Sequence, residues 1–299
     1  MSHDCGVKIK NPLAIFIVLW AAVPFSVGAV IDSAFADSTD QLKTSLSIGV
    51  WILWGLVLGS SIIRRPWGLT TVRVFAPTTV PAIVATHWYV TIPNGNLAVA
   101  LTHAGLVSLL ALLPETGNLM VDGLNYGDEK RFLLRVPSAV LVGPLPLVWS
   151  IGVFGTFAGP ILFATNRWVF GLVLTVVGWP LAAFSIRSMH QLARRWLVFV
   201  PNGLVIHDYL ATREPFLLRR QDISSLGPAA ADVNIDSERL IDVSQLALGP
   251  VLQVALRGDV EVVPRSRGIS EVKRVEQILF APTRPGAVLR EAHRRNLVR

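Results

Sequence analysis

The order of apolar and polar residues divides the chain into two regions of different character. Six apolar stretches, at about residues 12–31, 45–63, 69–90, 97–113, 139–164 and 169–187, are separated by shorter polar segments. Crossing a hydrocarbon core takes about 20 apolar residues of helix, and each stretch has that length or nearly so. The third and fourth are the weakest in length and polarity, and the connector Thr91–Asn96 between them is short. A chain with four spans would keep both termini on the same side as a chain with six. From residue 194 the pattern changes to that of strands. Trp196–Val200 and Leu204–His207 flank Pro201-Asn202-Gly203, a turn signal between two β-rich runs. Further strands are expected at Pro215–Leu218, Val251–Leu256, Val260–Val263 and Glu276–Phe280, with Arg257-Gly258-Asp259 as a hairpin turn. Residues 224–248 give only weak signals. Thr283 as a cap, Pro285 and apolar spacing at Ala287, Val288 and Ala292 predict a closing helix.

The expected fold class is therefore α+β: a polytopic helical bundle over residues 1–193, then a small antiparallel, β-barrel-like domain over 194–299 with a C-terminal helix. The fifth stretch is the least regular, with Pro137, Pro144, Pro146 and Pro160 and with Gly143, Gly152, Gly155 and Gly159. It predicts a kinked helix with close neighbours. A broken helix lining a substrate site is the functional counterpart of that reading. The sixth stretch is expected to continue as a rigid stalk through Ser188–Arg195.

Charge orients the chain, because Lys and Arg are retained on the cytoplasmic side during insertion. With the N-terminus inside, eleven basic residues fall on the cytoplasmic side (Lys8, Lys10, Arg64, Arg65, Arg73, Lys130, Arg131, Arg135, Arg187, Arg194, Arg195) and two outside, Lys43 and Arg167. The first outer loop is acidic, with Asp32, Asp37 and Asp40. Both termini are therefore expected in the cytoplasm. Lys8, Lys10 and Ala34-Phe35-Ala36 before Asp37 also fit a signal peptide with its cleavage site, but the uncharged run is longer than a typical h-region, which favours a retained anchor.

Arginine outnumbers lysine 22 to 5 amid abundant Ala, Val and Leu, a composition that a GC-rich bacterial genome produces. The net charge of +7 is explained by membrane-flanking residues and does not indicate nucleic acid. Residues 194–299 alone hold 16 basic and 12 acidic side chains, a balance of +4 that suits an anionic inner leaflet. Cys5 is the only cysteine, so neither an intramolecular disulfide nor a Cys-based metal site is expected, and no cofactor is implied.

Ionisable groups within the spans are costly and functional candidates by default. Arg73 lies near the cytoplasmic start of span 3, within snorkelling reach. His87 and His103 lie toward the outer side of spans 3 and 4, and with Asp32 they form a candidate polar site for a proton or metal. Against a metal, His87 adjoins Trp88 and Tyr89 of an interfacial aromatic belt, and each helix carries a lone histidine. Neither a G-x-S-x-G elbow nor a phosphate-binding glycine loop occurs, and Ser60 and Ser61 read as small polar residues at a helix end. The connection over residues 114–138 is long and carries Tyr126, Phe132, Leu133 and Leu134 among charges. It reads either as a segment docking on the C-terminal region or a partner, or as an amphipathic interfacial segment.

Three segments carry a resemblance: Arg194–Asp208, Leu218–Ile223, and Phe280–Gly286 before a helix. They resemble bacterial pleckstrin-homology-like domains that follow transmembrane helices in actinobacterial multi-pass membrane proteins. The resemblance covers about a third of the chain and implies a scaffold for binding proteins or lipids, with no catalytic residues to carry over. Tyr126, Lys130, Arg131, Arg219, Arg220, Arg265 and Arg267 are the candidate interaction surface, with Lys273 and Arg274 extending the basic face. The function expected from this order is a non-enzymatic membrane adaptor or assembly scaffold in the bacterial plasma membrane. Its expected partners are the bilayer, a membrane or envelope protein, and anionic lipid. The alternative is a transporter or lipid-handling protein with a polar site in spans 3–5.

Overall fold

The structure, a computed structural model, describes residues 11–123, 125–230, 233, 237–265 and 272–297. Among them six helices are long and apolar enough to cross a membrane: Pro12–Ala34, Asp40–Ile63, Pro66–Tyr89, Asn94–Leu112, Pro144–Ala164 and Trp168–Ala193. The first comprises α1 (Pro12–Val23), a π-helical turn over Pro24–Gly28, and α2 (Ala29–Ala34). The second is α3 (Asp40–Ile63), whose N-cap Thr39 side chain accepts from the Leu42 amide. The third is α4 (Pro66–Phe75) followed by a 3-10 turn and α5 (Thr79–Tyr89), and the fourth is α6 (Asn94–Leu112). The last two are α9 (Pro144–Ala164) and α10 (Trp168–Ala193). Proline occupies the first position of α4 and α9, where its fixed φ suits the helix and its missing N–H costs nothing.

α9 and α10 pack through their backbones. A Cβ on Gly155 would sit 2.5 Å from the Gly178 carbonyl, and Gly152 faces Ser185. Small residues are what allow this approach where lipid removes any hydrophobic drive for helices to associate. Gly143 breaks the fifth apolar stretch, separating the short α8 (Ser138–Val142) from α9. The expected kink is thus a break at the proline-rich start, while α10 runs unbroken to Ala193 past the sixth apolar stretch.

The connection after α6 folds into α7 (Pro114–Asp122) and β1 (Lys130–Leu133). Beyond α10 follow β2 (Trp196–Val200), β3 (Gly203–His207), β4 (Phe216–Arg219), β5 (Ile223–Pro228), β6 (Leu240–Asp242), β7 (Leu252–Val262), β8 (Lys273–Phe280) and α11 (Pro285–Arg294). They form two four-stranded sheets of order β1-β2-β3-β4 and β5-β7-β8-β6. The pairs are antiparallel except β6 with β8, and the described strands make no closed barrel. The expected barrel is replaced by two open sheets linked by the Leu134–Pro282 and Thr212–Pro264 bridges. Arg257-Gly258-Asp259 is not a hairpin turn: the chain stays in β7, and a register shift between Ala255 and Val260 lets both halves pair with β8. Thr283 does not cap α11, whose N-cap is Arg284, and its hydroxyl accepts from Asn118 instead. β5 and β6 occupy the segment whose sequence signals are weak.

Residues alternate between two cores along β1 and β2. Phe132, Leu134, Leu197 and Phe199 enter the core between the sheets, while Leu133 and Trp196 join the core of the helical region. The first sheet is consequently sandwiched at this end, apolar on both faces.

Candidate functional site

The junction of the two regions follows from one hairpin. The Pro201-Asn202 turn sets Val200 opposite Gly203 and hence Trp196 opposite His207. Trp196 and His207 stack with centroids 4.7 Å apart, and His207 meets Tyr209 edge-on at 4.6 Å. Arg194 lies over Tyr209 and Arg131 over Trp196, at 5.3 Å and 5.8 Å. The result is a ladder of cations and aromatic rings, Arg131–Trp196–His207–Tyr209–Arg194, on the side of the sheet next to the helices. His207 Nδ1 lies 2.9 Å from the Arg194 carbonyl, and burial pushes the ring's pKa down.

On the opposite side of the same two strands, Arg195 and Asp208 form a buried bidentate pair, with Nε to Oδ1 at 2.9 Å and Nη2 to Oδ2 at 2.7 Å. Arg195 also donates to the Arg135 and Val243 carbonyls, at 2.7 and 3.2 Å, and Leu210 N–H donates to Asp208 at 3.0 Å. The pair therefore ties the end of α10, the segment just before α8 and the loop after β6 into one point. Full satisfaction of both charges is what permits this burial.

β1 gains its outer partners from α7. Asn118 Oδ1 accepts from the Leu133 amide at 2.8 Å and Asp122 Oδ1 from the Arg131 amide at 3.0 Å. Asn118 Nδ2 donates to Thr283 at 2.8 Å, and Thr283 N–H donates to the Leu133 carbonyl at 2.8 Å. A helix thus covers a strand edge that would otherwise invite another strand.

The candidate surface residues do not share one environment. Tyr126 is exposed rather than anchoring its segment, and Lys130 donates to Asp122. Arg131 reaches Glu129 at 3.2 Å, and Arg265 donates to the Tyr209 carbonyl at 2.7 Å. Arg219 and Arg220 are exposed at the end of β4, an edge strand, and Arg220 touches the Asn296 carbonyl at 3.5 Å. Lys273 is taken up by the Leu240 carbonyl at 2.8 Å, and Arg274 pairs with Glu261 at 3.4 Å. Arg267 and Cys5 lie outside the described residues.

Within the helices, His103 bonds Ser26 of the π-helical turn through Nδ1 and the Leu19 carbonyl through Nε2 at 3.0 Å. His87 accepts from the Ile92 amide at 3.2 Å, closing the turn between α5 and α6. Asp32 is exposed and lines a different feature, a cleft of about 420 Å³ between α1, α3 and α5 that also carries Lys43. The two histidines thus have separate partners, and no group of three His, Cys, Asp or Glu among the described residues is placed to hold a metal. Arg73 is half-buried against Gly117, with its Nε buried and unpartnered among the described residues. Apart from Arg131, no residue of the cation–aromatic ladder or of the buried pair is among the site residues expected from sequence. Counting outward from the Asn202 turn gives the Trp196–His207 and Arg195–Asp208 pairings but not Arg131, which β1 supplies. Comparisons with protein-family models, with curated proteins and with solved structures gave no match.

Proposed function

We propose that the protein is an integral membrane adaptor whose sheet region, a pleckstrin-homology-like module, lies on the cytoplasmic side of a bacterial plasma membrane and holds a membrane or envelope protein. The observation that carries this reading is the way the sheets are attached. β1 arrives from the connection between spans four and five, β2 follows directly from span six, and the Arg195–Asp208 pair locks both. A module fixed at two points presents its surface in a defined orientation to the bilayer, which lowers the entropic cost of holding a second membrane protein. The excess of basic residues flanking one side of the spans supports the cytoplasmic assignment. The outer face and open edge of β4, with Leu217 and Arg219 exposed, offer the docking surface.

A photo-crosslinking side chain at Leu217 tests this in native membranes. A discrete envelope protein captured by the intact chain and lost with Arg219→Glu/Arg220→Glu is the expected result. Capture of nothing, or of the same proteins by both chains, contradicts it. Lipid handling by the helical region is the second reading. It draws on the cleft between α1, α3 and α5, which lies among the first three spans rather than among spans three to five.

A further inference from the structure

Among the described residues beyond 194, four large apolar side chains are exposed: Leu217, Leu246, Leu248 and Val272. Two of them stand two residues apart in the loop between β6 and β7, and that loop is not free. The Leu246 carbonyl accepts from Ser138 Oγ at 2.7 Å, and the Leu248 carbonyl accepts from Arg135 Nη1 at 2.8 Å. Arg135 also reaches the Pro250 carbonyl at 3.4 Å, and its guanidinium packs on Gly249, whose φ of +100° and lack of Cβ permit the approach. Gln245 and Leu246 both adopt left-handed backbone, φ 50° and 56°, which non-glycine residues rarely do. Gln245 Nε2 anchors that turn to the Leu210 carbonyl at 3.0 Å.

The residues that hold the loop are those with which the chain passes into its fifth span. Ser138 is the first residue of α8, and Leu141 and Val142 of α8 are exposed immediately before α9. α9 carries no charged residue and is long and apolar enough to cross a membrane. The bonds from Arg135 and Ser138 therefore place Leu246 and Leu248 beside the apolar surface of α8. Exposed leucines cost hydrophobic free energy in water but fit the headgroup–acyl boundary, where apolar side chains bury while backbone stays hydrated.

We propose that the 243–250 loop is a membrane-contacting loop: Leu246 and Leu248 enter the lipid leaflet beside α8 and seat the sheet region on the bilayer surface. The occupant is lipid rather than protein because the loop is bonded to the start of α8, whose exposed Leu141 and Val142 lead into a helix long and apolar enough to cross a membrane. This contact extends the adaptor reading, yet it depends on bilayer depth alone and not on any protein partner.

The test uses the full chain with Cys5→Ser in nanodiscs of phosphatidylcholine and phosphatidylglycerol. A bimane label is placed at Leu248→Cys, at Leu246→Cys, or at Gly258→Cys on the exposed bend of β7. The expected result is blue-shifted emission at 246 and 248, with quenching by shallow-nitroxide lipid several-fold stronger than at 258. Aqueous iodide is expected to show the reverse order. Equal lipid and iodide quenching at all three positions overturns the proposal. So does a blue shift at 248 that occurs in native membranes but not in pure-lipid nanodiscs, since protein would then be the cover. Neither overturning result touches the crosslinking expected at Leu217, so the two ideas fail separately.

Discussion

The last two spans and the sheet region bury themselves by opposite means. Of the third span's most apolar window 56% is buried, against 17% to 28% for the other five. Most spans therefore leave Leu, Val, Phe and Trp facing outward; α9 and α10 meet through glycine, while the first four spans share a core that includes Phe16, Trp20, Leu69 and Val107. In the sheet region the large apolar side chains alternate inward and form a closed core, and the polar work is concentrated in one buried pair. The lesson is that side-chain size holds the sheets and the first four spans together, while its absence holds α9 against α10. Substitutions should show that asymmetry.

The largest effect is expected at Asp208. Its removal leaves the Arg195 guanidinium buried at 1% exposure with no counter-charge, which costs about 3–5 kcal/mol. Asp208→Ala should therefore unfold the sheet region tens of degrees early in a thermal melt, or prevent its accumulation. Arg195→Met/Asp208→Leu, which removes both charges, should recover most of the loss. A single variant as stable as the parent would show that the junction does not depend on the pair.

Next comes the glycine contact. Gly155→Leu would push side-chain atoms into the Gly178 backbone and force α9 from α10, with a loss of roughly 3 kcal/mol, the upper end for overpacking. The same enlargement at Gly49, which has open space around it on α3, should change the melt little. Equal tolerance at both positions would break the contrast drawn above.

A smaller effect is expected where a helix stands in for a strand. Asn118→Ala removes the acceptor of the Leu133 amide and the donor to Thr283, at about 1–2 kcal/mol for groups left unpaired. Hydrogen exchange should report it locally, with faster exchange at Leu133 and unchanged protection in β7 and β8.

These positions also show what the chain makes legible. The spans and the first hairpin can be read because their signals are local: apolar length for the former, an Asn-Gly turn for the latter. From that turn, counting back pairs Arg195 with Asp208 and Trp196 with His207, so the most connected point of the molecule is within reach of sequence. β1 is not, because Lys130–Leu133 is short, charged at its start, and becomes a strand only when β2 arrives from more than 60 residues later. β6, three residues in parallel register with β8, is equally invisible locally. The Arg257-Gly258-Asp259 segment misleads because a bulge and a turn use the same residues. Arg219 and Arg274 look alike in sequence and are both exposed, yet the structure gives Arg274 an acidic partner, Glu261, on the neighbouring strand.

The mildest test concerns pH at the junction. Burial lowers the His207 pKa from the ordinary value of 6.5, so the folded protein holds the ring neutral, stacked on Trp196 and beside Tyr209 and Arg194. The sign follows from proton uptake. Below 6.5 the unfolded chain binds the proton more readily than the folded one, so stability falls with pH until the lowered folded value is passed. Above 6.5 the contribution is fully present. His207→Gln should flatten this part of the melting-temperature profile while keeping a polar group for the Arg194 carbonyl. A parent and variant with parallel profiles across that window would mean that the ladder tolerates an imidazolium among its arginines, and that its rings serve packing rather than charge.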